Sequence, residues 1–389
     1  MIFTVNMRHF LRYIFFIVLL LGNTVFVSAQ SAKWNNISTR AIKVGIMLPL
    51  HDKNGDGKRM VEYYRGMLMA CEDLKKQNIS VDIHAWNVAE ETDVRQTLLQ
   101  KGANQCDVIF GPLYSNQVAP LAEFCNAYDI KLVIPFSIQS DALKKDKMVY
   151  QVFQSPEVLN DKAITTYLNR FPQAHPVFVG CNDTTSRKGV FTMALRKQLE
   201  KRKITYNITN VNSPAESFAK AFDRNRQNVV ILNTGRSPEL TAVLNKLDAL
   251  TASNPSLVIS LYGYNEWLMY VNYNLNRFFK YDTYIPSTFY LNSSNAKTIQ
   301  LKREYKQWFG HDMMYALPSF ALTGYDHALF FLTGIHRYGR NFNGSKVQNV
   351  CVPIQSPMHF EQVGKGGYQN NYFQLIHYNF ARQIESISY

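Results

Sequence analysis

Apolar and polar positions follow two alternating rhythms along this chain. The run 42–48, IKVGIML, is apolar almost throughout, the pattern of a strand buried on both faces. Met60, Tyr64, Met67, Leu68, Cys71 and Leu74 then recur at helical spacing among charged residues, predicting an amphipathic helix over 59–76. A strand over 81–86, a helix through Val94, Leu98 and Leu99, and a short buried strand at 107–110 follow. Gly111-Pro112 ends that strand, Val118, Leu121, Ala122 and Cys125 mark a third helix, and a strand over 130–134 stops at Pro135. The same rhythm restarts: strands at 176–181, 204–208, 228–232 and 257–261 are separated by helices at 190–199, 215–222 and 240–250. Repeated strand–helix–strand units imply parallel sheets with helices on both faces, here in two halves of similar size. A strand-like crossover at 284–290, helices at 298–309 and 319–338, and a closing β-pair at 358–361 and 372–378 complete the pattern.

The N-terminus stands outside this pattern. Arg8 and Arg12 precede an apolar run over 13–21, and Val27-Ser28-Ala29 supplies small residues before a cut after Ala29. This is the signature of a secretory signal peptide over 1–29. A membrane span needs about 20 apolar residues, and Asn23 and Thr24 interrupt this run. No cysteine sits at the cut to carry a lipid, and no later segment is long enough to span a bilayer. The expectation is a periplasmic or secreted protein. Its five cysteines are scattered without CxxC pairs, so they read as buried thiols.

The net charge is +13, and +11 once the two arginines leave with the signal. Such a surplus suits an anionic ligand or surface. The basic residues are dispersed, however, and cluster only at helix ends such as Arg196-Lys197 and Lys201-Arg202-Lys203, so nucleic acid is not expected. The nine histidines lack metal-site spacing, and no nucleophile elbow or phosphate loop is present. Gly364-Lys365-Gly366-Gly367 reads as a hairpin turn. No enzyme activity, metal or cofactor is expected. DKNGDG (52–57) imitates the first half of a calcium loop, but position 12 is Tyr63. The carboxylate is Glu62, one place early and turned by about 100° on a helix. The stretch reads as a polar turn.

Open α/β sheets bind ligands beyond the carboxyl ends of their strands. Those ends here carry Tyr114, Ser115 and Ser137 in the first half, and Asn182, Asp183, Thr234 and Tyr264 in the second. Each small polar residue taken alone is also a plain helix cap; the case for binding rests on their repetition. Tyr325 and Asp326 are candidates to reach the same cleft from the late helix, with Asp326 alternatively capping or hydrogen-bonding within the first lobe.

IKVGIMLPL (42–50), YYRGMLMACEDLK (63–75), DVIFGPLYSNQVAPLAEFC (107–125) and IKLVIPFS (130–137) together resemble the type I periplasmic binding proteins, specifically the leucine-binding branch of ABC-transporter substrate-binding proteins. LYGYNEW (261–267) and ALTGYDHALFFLTGIHRYG (321–339) are similar to a Bacteroidetes-type subset often fused to LysM modules; no LysM repeat is present here. The resemblance implies an α/β, two-lobed fold, each lobe a mostly parallel sheet flanked by helices, with three crossovers. It implies a first lobe over 40–152 and 283–348, a second over 153–282, and closing strands at 349–389 on the second lobe. It implies a small polar ligand, an amino acid or a peptide-like molecule, held at Leu113, Tyr114, Ser115 and Ser137, with an ABC permease as partner. The Ser-Ala-Thr-like triplet of amino-acid binders is Ser137-Ile138-Gln139 here. The alternative is a cell-envelope protein-interaction module tied to peptidoglycan.

Overall fold

The computed structural model describes residues 33–34, 36–136, 141–345 and 351–389. The signal-peptide expectation for 1–29 and the site candidate Ser137 lie outside the described residues.

The first unit runs β1 (Ile42–Leu48), α1 (Gly55–Lys75), β2 (Val81–Asn87), α2 (Val94–Leu98), β3 (Val108–Phe110), α3 (Val118–Ala127), β4 (Lys131–Ile134), α4 (Ala142–Lys145) and β5 (Val149–Gln151). The second runs α5 (Pro156–Arg170), β6 (His175–Gly180), α6 (Lys188–Lys201), β7 (Asn207–Asn210), α7 (Ala215–Ala219), β8 (Asn228–Leu232), α8 (Ser237–Ser253), β9 (Ile259–Leu261), α9 (Val271–Lys280) and β10 (Thr283–Ser287). The chain closes with α10 (Ala296–Phe309), α11 (Phe320–Tyr338), β11 (Phe360–Gln362), β12 (Tyr368–Asn370), β13 (Gln374–Tyr378) and β14 (Ile384–Ser388).

The larger sheet has the order β11-β12-β5-β4-β3-β1-β2, and its β1 to β5 core is parallel. Ile42, Val44, Ile46 and Leu48 face one apolar cluster with α1 and α11, while Met47 faces another with Val118, Leu121 and Cys125 of α3. Burial on both sides explains the unbroken apolar run of β1. The second lobe is the parallel sheet β7-β6-β8-β9, extended through a bridge between Tyr262 and Tyr284 into β10-β13-β14. One cluster serves both of its sheets.

The structure departs from the sequence pattern in several places, and β5, α4, α5 and α9 had no expected counterpart. The first helix starts at Gly55, because Asn54 caps it by accepting the Gly57 N–H at 2.9 Å. Half of DKNGDG is thus helix rather than loop. Glu62 turns inward, accepting the Tyr305 hydroxyl, Arg65 at 3.3 Å and the Met314 N–H at 3.0 Å, so it is engaged away from the 52–57 turn. The tail does not form one closing pair on the second lobe. β11 and β12 make a hairpin through the 364–367 turn and join β5 of the larger sheet, because Met358 and Phe360 pack into that lobe's core. β13 instead pairs with β10 and β14, burying Leu375, Ile376 and Tyr378 in the other core. For the same reason β10, expected in the returning part of the first lobe, belongs to the second: Tyr284 and Ile285 are buried there.

The chain therefore crosses between lobes three times, at 152–155, 288–295 and 371–373. Cross-bonds tie these segments together. Gln154 Nε2 donates to the Tyr372 carbonyl at 2.7 Å, and the Tyr290 N–H donates to the Gln355 carbonyl at 2.9 Å.

Candidate ligand-binding cleft

On the first lobe, Gly111 has φ +141, and a Cβ there would sit 2.2 Å from the Met47 carbonyl oxygen. Only glycine suits that backbone and that contact, and the turn it permits carries the chain into Leu113 and Tyr114. Tyr114 is half-buried and donates its hydroxyl to Asp56 Oδ2 at 3.3 Å. Burial, then Asp56, with Glu90 and Glu91 behind, push its phenol up to about 12. Asp56 also pairs with Arg59, whose guanidinium lies 5.9 Å from the Phe320 ring. Phe136 packs 5.9 Å from Phe320 and 5.3 Å from Tyr63. Ser115 begins a 3-10 turn over Ser115–Gln117 and is exposed.

On the second lobe, Asn182 is exposed and Asp183 is buried. Asp183 Oδ2 accepts the Thr234 hydroxyl at 2.7 Å; Oδ1 accepts the Thr185 hydroxyl at 2.7 Å and its N–H at 3.0 Å. These two hydroxyls, chiefly, hold the Asp183 carboxyl at about 2. Arg236 stands 3.5 Å away. Asp183 and the fully buried Thr234 thus fasten the loop after β6 to the loop after β8, which leaves the carboxylate little capacity for a ligand. Tyr264 is likewise internal, donating to the Leu232 carbonyl and packing against Phe191 and Trp267.

Two carboxylates not singled out from sequence lie at the same edge. Glu266 pairs with Lys188 through Oε1 at 2.7 Å, and Lys188 also sits 4.8 Å above the Tyr264 ring. The Glu266 carboxylate rests against Gly235, where a Cβ would come within 3.3 Å of it. Glu239, in the first turn of α8, stands 3.7 Å from Arg236. In both glutamates the Oε2 atom is shielded from solvent and has no hydrogen-bond partner. A shielded carboxylate oxygen without a donor is costly, and in Glu239 that oxygen is the one 3.7 Å from Arg236 Nε. Glu266 was findable, as the acid in LYGYNEW just beyond a strand end. Glu239 was hidden, because an acid three places into a helix reads as a plain first-turn residue.

The remaining candidates point elsewhere. Tyr325 donates to Asp73 Oδ2 at 2.8 Å on the α1 side of the first lobe. Burial raises the Asp73 carboxyl, but Lys297, Lys76 and Tyr325 outweigh it and hold it at about 2. Asp326 is buried and accepts three backbone N–H groups, from Ile354 at 2.7 Å, Gln355 at 2.9 Å and Ser356 at 2.8 Å. It takes the role left open as the alternative, hydrogen bonding within the first lobe. Burial pushes it up to about 7 against those three donors.

No family model and no curated protein matches this sequence. Solved structures do match its fold. One named for a branched-chain amino acid ABC transporter of Rhodospirillum rubrum aligns with TM-score 0.60 at 13% identity, over 90% of this chain and 100% of that one. A branched-chain amino acid ABC transporter periplasmic ligand-binding protein of Burkholderia xenovorans aligns at 0.51 and 12% identity, over 89% and 94%. An ABC transporter substrate-binding protein of Sphaerobacter thermophilus aligns at 0.50 and 11%, over 90% and 97%. The chain has the two-lobed type I periplasmic-binding fold, with parallel sheets flanked by helices.

Proposed function

We propose that this is an exported, non-enzymatic binding protein that closes its two lobes on a small polar ligand, in the manner of ABC-transporter substrate-binding proteins or related sensors. The observation that carries this reading is the second lobe's edge, where Glu239 and Glu266 place two part-exposed carboxylates beside Arg236 and Lys188. Part-exposed carboxylates there favour a ligand with an ammonium or amide group, which an amino acid or short peptide supplies. Tyr114 and Ser115 on the opposite edge offer hydroxyls and the start of a helical turn for the ligand's other end. The nature of the solved neighbours supports the same class, and an ABC permease is the partner such a role requires. The proposed lobe limits are about 40–151 with 296–370 for the first, and 156–287 with 374–389 for the second, as the strand pairing divides the chain.

A thermal-shift screen of amino acids, short peptides and amines tests this, because a ligand that binds only the native state raises the melting temperature. A shift with amine-bearing ligands, lost in the Glu239→Gln/Glu266→Gln double variant, is expected. A flat screen, together with retention of the protein on immobilised peptidoglycan or an envelope partner, would favour the interaction-module alternative.

A further inference from the structure

The strands of the second lobe gather one set of their ends at an edge remote from the cleft. β6, β7, β8 and β9 run parallel, and β10 joins them through the parallel Tyr262–Tyr284 bridge. β13 runs back against β10, so its end returns to the edge where the others start. Asp183, Thr234 and Glu266 follow the opposite ends of these strands. Basic residues that are dispersed in sequence meet at the remote edge. Arg202 and Lys203 precede β7, and Lys220, Arg224 and Arg226 precede β8. Lys280 precedes β10 and Arg382 follows β13, and each of these side chains is exposed.

The acids of this edge are already engaged. Asp282 is buried between the Ser260 hydroxyl at 2.9 Å and His377 at 2.7 Å, and Glu385 takes the other ring nitrogen of His377 at 3.0 Å. Glu200 accepts the Tyr206 hydroxyl at 2.6 Å. Asp223 holds Arg226 at 2.7 Å, while Asp248 holds Lys280 at 2.7 Å and Arg277 at 2.9 Å. Arg202, Lys203, Lys220, Arg224 and Arg382 make no ion pair among the described residues. Apolar surface lies among these cations. Phe380, in the turn between β13 and β14, keeps 58% of its surface in water, and Val258, just before β9, keeps 48%. Together with Ala252, Pro255, Leu257 and Tyr281 they border a cavity of about 460 Å³ beside Lys280.

We propose that this edge docks on the surface of a bilayer rich in anionic phospholipid. Arg202, Lys203, Lys220, Arg224 and Arg382 meet the headgroup phosphates, and Phe380 and Val258 enter the interfacial layer. An extended anionic surface collects charges spread over several loops, and each basic residue held near it strengthens attachment about fivefold. Exposed aromatic and aliphatic tips find an apolar layer in a bilayer and none on a soluble polyanion, which favours a membrane over an anionic polysaccharide. The face lies at the far end of the second lobe, so the proposal does not rest on the ligand assigned to the cleft.

Flotation of the chain that a cut after Ala29 leaves tests the proposal, using vesicles of phosphatidylglycerol mixed with phosphatidylcholine and vesicles of phosphatidylcholine alone. Attachment is expected only to the phosphatidylglycerol vesicles, and it weakens as salt rises from about 0.05 to about 0.5 M. Lys220→Glu/Arg224→Glu changes exposed side chains, so it keeps the unfolding midpoint and weakens attachment about tenfold or more. Phe380→Ser, at a turn, weakens it several-fold and is read separately, so the proposal stays open to refutation even if the charge variant fails to fold. No attachment to phosphatidylglycerol vesicles, equal attachment to phosphatidylcholine, or attachment unchanged in the folded variants would overturn the proposal. Dextran sulfate bound as tightly as the vesicles, with Phe380→Ser without effect on either, would assign the edge to a soluble polyanion instead. Neither variant alters Glu239 or Glu266, so failure here leaves the proposed cleft function standing.

Discussion

At the scale of single residues, satisfaction of hydrogen bonds separates the groups that hold the molecule together from those free to bind. Asp183 and Asp326 both looked like ligand carboxylates, yet each spends its oxygens on the protein's own donors. Glu266 gives Oε1 to Lys188 and Glu239 stands 3.7 Å from Arg236, but neither is enclosed by donors as those two aspartates are. Once a ligand is identified, Glu239→Gln/Glu266→Gln is expected to weaken its binding by about 1.5–3 kcal/mol, the range for hydrogen bonds to charged groups. Calorimetry on the wild type and the double variant, at matched fold, measures this; equal affinities would place the ligand elsewhere. Asp326 gives a pH signature with a definite sign. Its carboxyl titrates near 7 in the folded protein and near about 3.9 when unfolded. Between these values the folded state holds a proton that the unfolded state has lost, so this group's contribution to stability falls as pH rises from about 4 to about 7. Asp73 and Asp183, both held at about 2, act in the opposite sense, and their contribution is lost only as pH falls below about 4. Unfolding midpoints measured from pH 4 to 8 should therefore decline less steeply for Asp326→Asn than for the wild type. Identical slopes would show that Asp326 does not titrate in this window.

At the scale of elements, the first lobe depends on a close crossing of α1 and α11. A Cβ at Gly66 would fall 1.7 Å from the Ala321 carbonyl oxygen, and one at Gly324 would fall 1.9 Å from that of Tyr63. Two backbones meet here, so no flexible side chain can yield. Gly324→Ala is expected to destabilise the protein by about 2 kcal/mol or more, the upper part of the range for overpacking. Urea unfolding at constant m-value reads this out, and a loss of a few tenths would show that the helices can separate at little cost. Asn54→Ala at the start of α1 should cost about 1 kcal/mol through loss of the cap. Many elements were legible in the apolar rhythm: β1, β3, β4, β6 and β8, with α1, α2, α3, α6, α7 and α8, fall close to the expected ranges, whereas β5, α4, α5 and α9 had no expected counterpart. The missed start of α1 at Gly55 came from a polar first turn. Asp56, Gly57 and Lys58 carry no apolar stripe, so only the cap geometry marks the boundary.

At the scale of the whole molecule, the three crossovers make relative motion of the lobes the natural response to a ligand. A ligand of the glutamate edge that also contacts Tyr114 should favour a closed arrangement. Small-angle scattering with and without that ligand is expected to give a smaller radius of gyration in its presence; no change would mean the lobes do not close on it. The apolar rhythm of the sequence determined the class of fold, two α/β halves with buried parallel strands, because a strand buried on both faces leaves a local trace in its own residues. The polar strand ends likewise marked the two edges in advance. Which lobe each late strand joins was decided only in three dimensions. β10, β11 and β13 all read as short, half-apolar segments, and their placement follows from which core has room for Tyr284, Phe360 or Leu375. The distinction between structural and available carboxylates was decided there too. Whether an Asp or Glu is already satisfied depends on donors such as Thr234, or the 354–356 backbone, that lie tens of residues away, and local pattern carries no record of such distant partners.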